Sequence, residues 1–132
     1  KKFDNIELTT IEVEAKSITN SEFIISKKLK DSIDLAFKNI YKFHKSQIQK
    51  KEIVKINEGI SCWQEKRPIE RVGFYIPGGT APLFSTVLML GIPSLIANCP
   101  NRILCTPPDK NGEIPVEILY VCKICKIKNG HI

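Results

Sequence analysis

Residues 72–76, VGFYI, form an unbroken apolar run that halts at Pro77-Gly78-Gly79. Such a run reads as a buried strand, and proline followed by two glycines ends it. Thr80-Ala81-Pro82 then opens an apolar helix through Leu83, Val87, Leu88 and Leu90, with Gly91 and Pro93 disturbing its far end. Arg102 to Thr106 reads as a second short strand, stopped by Pro107-Pro108, and Pro115 to Ile127 as a second helix. The order strand–helix–strand–helix predicts an α/β fold that begins a parallel sheet. It stops where a third strand should follow, leaving a strand edge unpaired and the chain sticky.

Upstream the periodicity is helical. Ile25, Leu29, Ile33, Ala36, Phe37, Ile40 and Phe43 recur at spacings of three and four, with lysines and acids on the other face. Thr19 with Glu22 three residues later has the spacing of a capping box. The pattern predicts one long amphipathic helix from about Asn20 to about Gln49. At 1.5 Å per residue it would be about 45 Å long. A globule of this size is only about 36 Å across, so the helix overhangs unless it is bent, broken or packed on something more. Residues 3–18 read as irregular or short-strand. Between the long helix and the VGFYI strand, Glu52 to Ile56 and Ile60 to Glu65 flank Asn57-Glu58-Gly59, the pattern of a β-hairpin. Trp63 is expected to pack beneath the sheet. Residues 1–51 and 52–132 thus read as two segments of one structural unit.

The balance of 42% hydrophobic and 26% charged residues fits a folded globule. No apolar run approaches the roughly 18 residues of a membrane helix, and the polar start KKFDNIELTT does not read as a signal peptide. The chain begins at Lys1 and its only methionine is Met89, so a cut chain, a processed product or a piece of something longer is expected. The net charge of +6 comes from dispersed lysines; Arg67, Arg71 and Arg102 are the only arginines. Nucleic-acid proteins more often show clustered arginines with interleaved aromatics, so a solvated lysine surface is favoured over a nucleic-acid interface.

Five cysteines, Cys62, Cys99, Cys105, Cys122 and Cys125, occur at irregular spacing. With an odd count and no export signal, a reducing cytoplasm is expected. Cys122 and Cys125 form a C-x-x-C pair inside the helical pattern EILYVCKICKI. With no second pair and no histidine pair nearby, core packing is favoured over zinc or redox chemistry. Cys99 and Cys105 sit at apolar element ends with no base close in sequence, so a structural role is favoured over a thiol nucleophile. His44 reads as a surface or capping residue of the long helix, and His131 lies in the tail without a role.

The turn after VGFYI is where a ligand is expected. Glycines let a ligand approach the main chain, a helix N-terminus favours an anionic or polar group, and Tyr75 stands near the carboxyl end of its strand, where α/β proteins bind ligands. The spacing is neither G-x-G-x-x-G nor a P-loop.

The string RPIERVGFYIPGGTAPLFSTVLML resembles the signature region of the histidinol dehydrogenase family. The helix segment AFKNIYKFHKSQ, the strand ILCTPP and the helix EILYVCKIC resemble the corresponding parts of that family, so the likeness runs from about residue 3 to about residue 127. The resemblance implies a Rossmann-like fold and the N-terminal part of a homodimeric enzyme. That enzyme oxidises L-histidinol to L-histidine through histidinal with NAD and zinc, as the last step of histidine biosynthesis. It implies cofactor binding by Tyr75 and Pro77 and a substrate-side position for Ser85. It assigns no catalytic residue and no zinc ligand to this chain, since the family's lie beyond the point matching Ile132; the chain alone is expected to be inactive. The tail KIKNGHI departs from the family pattern. The alternatives are a non-catalytic remnant or binding module of the same fold and, less favoured, a basic nucleic-acid-binding module.

Overall fold

The computed structural model describes residues 10–78, 81–109 and 111–131. In order the elements are β1 (Glu12–Val13), α1 (Ala15–Ile24), α2 (Lys27–Ser46), β2 (Ile53–Asn57), β3 (Ile60–Trp63), β4 (Arg71–Tyr75), α3 (Phe84–Ile96), β5 (Asn101–Cys105), α4 (Val116–Ile124) and β6 (Asn129–His131). Residues 3–9 of the segment expected to be irregular or short-strand lie outside the described residues, as do Gly79 and Thr80 of the turn.

The single long helix is in fact two. Ile25 and Ser26 are extended, with ψ of 137° and 144°. Ser26 is the true cap: its Oγ accepts from the Leu29 amide at 3.4 Å, satisfying one of the donors that a helix start leaves open. Thr19 is instead inside α1, where its hydroxyl donates to the Ala15 carbonyl at 2.9 Å. The break turns Ile25 into the core, where it is 6% exposed. It also shortens α2 to 20 residues, about 30 Å, which removes the overhang.

Glu22, the other half of the expected capping box, works across helices. Its carboxylate accepts from Lys30 of α2 at 2.6 Å and from Lys123 of α4. Tyr120 of α4 donates its hydroxyl to Asp34 of α2 at 2.7 Å; burial first, and then Asp34, pushes the phenol above its usual range. These polar ties fix α1 and α2 over α4, while α2 also packs on α3 and α3 on α4. Between them the core gathers Ile18, Ile33, Leu88, Ile92, Leu104 and Val121.

The sheet has the order β1-β6-β5-β4. β4 pairs parallel with β5, from Arg71 beside Asn101 to Tyr75 beside Cys105. β5 pairs parallel with β6, Ile103 beside Asn129 and Cys105 beside His131. The third strand is therefore present, and the expectation that the sheet halts after two is corrected. Its sequence, Asn-Gly-His, carries no apolar signal. Pairing on both sides makes it a strand, because β1 lies antiparallel against its far edge, Val13 beside Gly130. The β6 side is thus closed by β1, and β4 is the outer strand on the other side.

Two further expectations change. VGFYI is buried on only one face: Phe74 is partly buried and Ile76 fully so, while Arg71, Gly73 and Tyr75 are exposed. A side-chain carbon built on Gly73 would meet nothing within 4 Å, so this face of β4 is bare. Helix α3 starts at Phe84, three residues after Ala81, and runs straight through Gly91 and Pro93 to Ile96.

The hairpin forms as expected, β2 antiparallel to β3 with Ile53 beside Trp63 and Val54 beside Cys62. Gly59 has a φ of +79° in its turn, a conformation that costs glycine little. Every residue of both strands is exposed. Trp63 does not pack beneath the sheet; it is 52% exposed.

Candidate functional site

Three parallel strands end at one edge, and the chain leaves β4 there through Pro77 and Gly78. The turn is held from below: the Ile76 amide donates to the Cys105 carbonyl at 2.9 Å, and the Thr106 amide donates to the His131 carbonyl at 3.0 Å. These bonds extend the ladder one residue past each strand. Gly78 lies over Pro107, and a side-chain carbon there would meet the proline ring at 3.3 Å. A residue larger than glycine would press on that ring.

Tyr75, the last residue of β4, is 66% exposed. Pro77 and Gly78 beside it are exposed, as is Ser85, the second residue of α3. Among the described residues no side chain caps α3 at Leu83, which leaves its first amides and positive dipole end open. The exposed Tyr75 ring, Pro77, Gly78 and the start of α3 follow one another along the chain, with Gly79 and Thr80 between them outside the described residues.

Sequence reasoning did not place Thr106 and His131 here. Thr106 is 3% exposed. His131 is partly buried, and its Nδ1 is buried with no hydrogen-bond partner among the described residues. The signal that would have found them was the third strand, which Asn-Gly-His does not advertise.

The cysteines separate by burial, and all five are free thiols. Cys122 and Cys125 are 2% and 0% exposed, and burial pushes each thiol up to about 12. A thiol held that far above neutrality carries almost no thiolate, the form that binds metal or attacks carbonyls. The pair is core packing, as expected. Cys99 is buried and Cys105 partly so. His44 sits in the last turn of α2, its Nδ1 2.8 Å from the Gln47 side chain, a favourable end for a histidine. Among the described residues no group of three or more His, Cys, Asp or Glu is placed to hold a metal ion. No helix of the described residues is long and apolar enough to cross a membrane.

The family model for histidinol dehydrogenase matches residues 1–130, so most of the KIKNGHI tail lies inside the match. Histidinol dehydrogenase of Bacteroides thetaiotaomicron is 49% identical over 125 residues, covering 95% of this chain and 29% of that protein. Histidinol dehydrogenase of Buchnera aphidicola subsp. Schlechtendalia chinensis is 50% identical over 127 residues, covering 96% of this chain and 61% of its own length. The crystal structure of histidinol dehydrogenase from Elizabethkingia anophelis superposes with a TM-score of 0.92 at 52% identity, over 99% of this chain and 30% of that one. The chain therefore spans about 30% of the length of the first and last of these relatives. With nearly every residue inside the match and the same α/β frame, this chain belongs to the histidinol dehydrogenase family.

Proposed function

We propose that this chain is the N-terminal part of an NAD-dependent, zinc-containing histidinol dehydrogenase, in which its role is to bind and orient the dinucleotide. The β4–α3–β5–α4–β6 unit is the start of a Rossmann-like sheet, and residues 1–51 and 52–132 act as one structural unit. The observation that carries the reading is the exposed Tyr75 ring at the carboxyl end of β4, next to the Pro77-Gly78 turn and the uncapped start of α3. Ligands of open α/β sheets bind at that edge.

Tyr75 offers a flat face and a hydroxyl to one end of NAD. Pro77 and Gly78 let the cofactor approach the main chain, and the first amides of α3 face its negative charge. Ser85 lies on the substrate side of the same helix start. NAD, when bound, supplies the hydride acceptor for oxidising the alcohol of L-histidinol, and then the aldehyde, to L-histidine. The chain supplies neither a general base nor zinc ligands; these come from the part of the family fold that this chain does not span, and the isolated chain is inactive. The working enzyme is a cytoplasmic homodimer that uses no nucleic acid and no membrane.

The test is a chimera in which this chain replaces the matching 30% of the Elizabethkingia anophelis enzyme. Tyr75→Ala in that chimera should raise KM for NAD by about 5- to 150-fold, the equivalent of about 1–3 kcal/mol for an aromatic contact with one hydrogen bond. An unchanged KM for NAD would remove Tyr75 from the site.

A further inference from the structure

Gly78 can be a glycine for either of two reasons. A ligand above the turn needs the main chain bare, or a neighbour beneath it leaves no room. Among the described residues the glycines with positive φ are Gly59 and Gly112, so the Gly78 backbone is one that alanine adopts without strain. Its neighbour is the half-buried Pro107. A side-chain carbon on Gly78 would lie 3.3 Å from the ring Cγ, 3.4 Å from Cβ and 3.9 Å from Cδ. Either the ring or the turn would have to give by a few tenths of an ångström.

The ring is the part that does not give. Proline has a locked φ, and Pro108 after it confines Pro107 further to extended backbone. Thr106 before it is 3% exposed, and its amide donates to the His131 carbonyl at 3.0 Å, which ties it to β6. Beyond Pro108 the chain is pinned again. The Asp109 amide donates to the Glu113 carbonyl at 2.8 Å, and the Asp109 carboxylate accepts from the Asn111 and Glu113 amides at 2.8 and 3.0 Å. On the other side, the Ile76 amide is anchored on the Cys105 carbonyl at 2.9 Å, and Pro77 and Gly78 after it are exposed. An added methyl would therefore move the turn and leave the prolines in place.

We infer that Pro107 is a positioning residue for NAD, a rigid platform that sets the height of the Pro77-Gly78 turn, and that Gly78 lacks a side chain because of this ring; the inference rests on the functional reading above and adds a residue to it. Pro107 acts through Gly78 rather than by touching the cofactor. A glycine turn without such a support samples many backbone states, and a ligand that binds it must freeze them. A turn seated on Pro107 is already in place when the cofactor arrives.

Gly78→Ala, Pro107→Gly and the double variant, made in the chimera and in the isolated chain, test this. Pro107→Gly removes every ring carbon that the added methyl would meet. A misplacement of 1 Å in an oriented site can cost about 100-fold, so with Pro107 present Gly78→Ala should raise KM for NAD on the order of 10-fold, with smaller changes in kcat and in KM for L-histidinol. In the Pro107→Gly background the same substitution should raise KM for NAD by less than about 2-fold, the effect having lost its cause. Pro107→Gly alone should raise KM for NAD, because the turn has lost its support. Pro107→Ala, which keeps the Cβ at 3.4 Å, should give an intermediate response to Gly78→Ala, and it carries the comparison if Pro107→Gly does not fold. Thermal melts of the isolated chain should show the same coupling, Gly78→Ala lowering the melting temperature by a few degrees only where the ring is present. An equal rise of KM for NAD in both backgrounds overturns the inference and leaves NAD at the turn. A KM for NAD unmoved by Gly78→Ala, with the coupling still seen in the melts, overturns the functional reading and the positioning role with it.

Discussion

A side-chain carbon placed on Gly91 would stand 2.9 Å from the Cys125 sulfur. Gly91 is buried in the middle of α3 and Cys125 closes α4, so the absence of one methyl group lets the two helices approach. Glycine inside a helix costs about 1 kcal/mol relative to alanine, and here close packing outweighs that cost. Gly91→Ala should therefore destabilise the chain by about 1–3 kcal/mol through overpacking, despite the better helix former. Gly91→Ala combined with Cys125→Ala should recover only part of the loss, because the sulfur is gone while the Cys125 Cβ, 3.0 Å from the added carbon, stays. Urea unfolding of the four proteins in this cycle checks it; additive effects would show that the two residues do not meet.

This pair also shows why sequence reading succeeds at some elements and not at others. Read along the chain, Gly91 and Pro93 look like the end of a helix; only the position of Cys125, 34 residues on, shows that Gly91 belongs to its middle. The VGFYI strand and its Pro-Gly turn were legible because local chemistry alone dictates them. The break between α1 and α2 was not, since Ile25, Leu29 and Ile33 keep helical spacing straight through it, and the Thr19–Glu22 spacing mimics a cap that Ser26 actually provides. β6 was invisible because Asn-Gly-His becomes a strand only between β5 and β1. At the candidate site, Tyr75, Pro77 and Ser85 were named from the contiguous string 75–85 and from the family resemblance that string carries. Thr106 and His131 arrive from other strands, and nothing in their immediate sequence points there.

Glu22 carries a pH dependence. The hydrogen bond from Lys123, then that from Lys30, lowers its carboxyl from 4.5 to about 2. A carboxyl held low in the fold binds a proton less readily there than in the unfolded chain. Its stabilising effect is complete above pH 4.5 and fades as pH falls toward about 2. Comparing thermal melts of the native chain and Glu22→Gln should show a gap near neutral pH that closes across this acid window. Because the carboxylate is partly exposed, added salt should narrow the gap as well. A gap that stays constant with pH would mean the lysine pair contributes nothing.

Thiol labelling tests the burial pattern. Cys62 is exposed, whereas Cys99, Cys122 and Cys125 are buried. Ellman's reagent at mildly alkaline pH should find Cys62 quickly and reach the three buried thiols only when denaturant opens the core. Cys105, partly buried beside Tyr75, should react at an intermediate rate. Equal rates for Cys62 and Cys122 would contradict the packing of α4.

The most direct measurement of the central claim is NADH formation from L-histidinol by the chimera of this chain with the remaining portion of the Elizabethkingia anophelis enzyme, set beside the isolated chain. Zinc-dependent NADH production is expected from the chimera, and none above a no-protein blank from the chain alone. A folded, zinc-loaded chimera that makes no NADH, or turnover by the isolated chain, would contradict it.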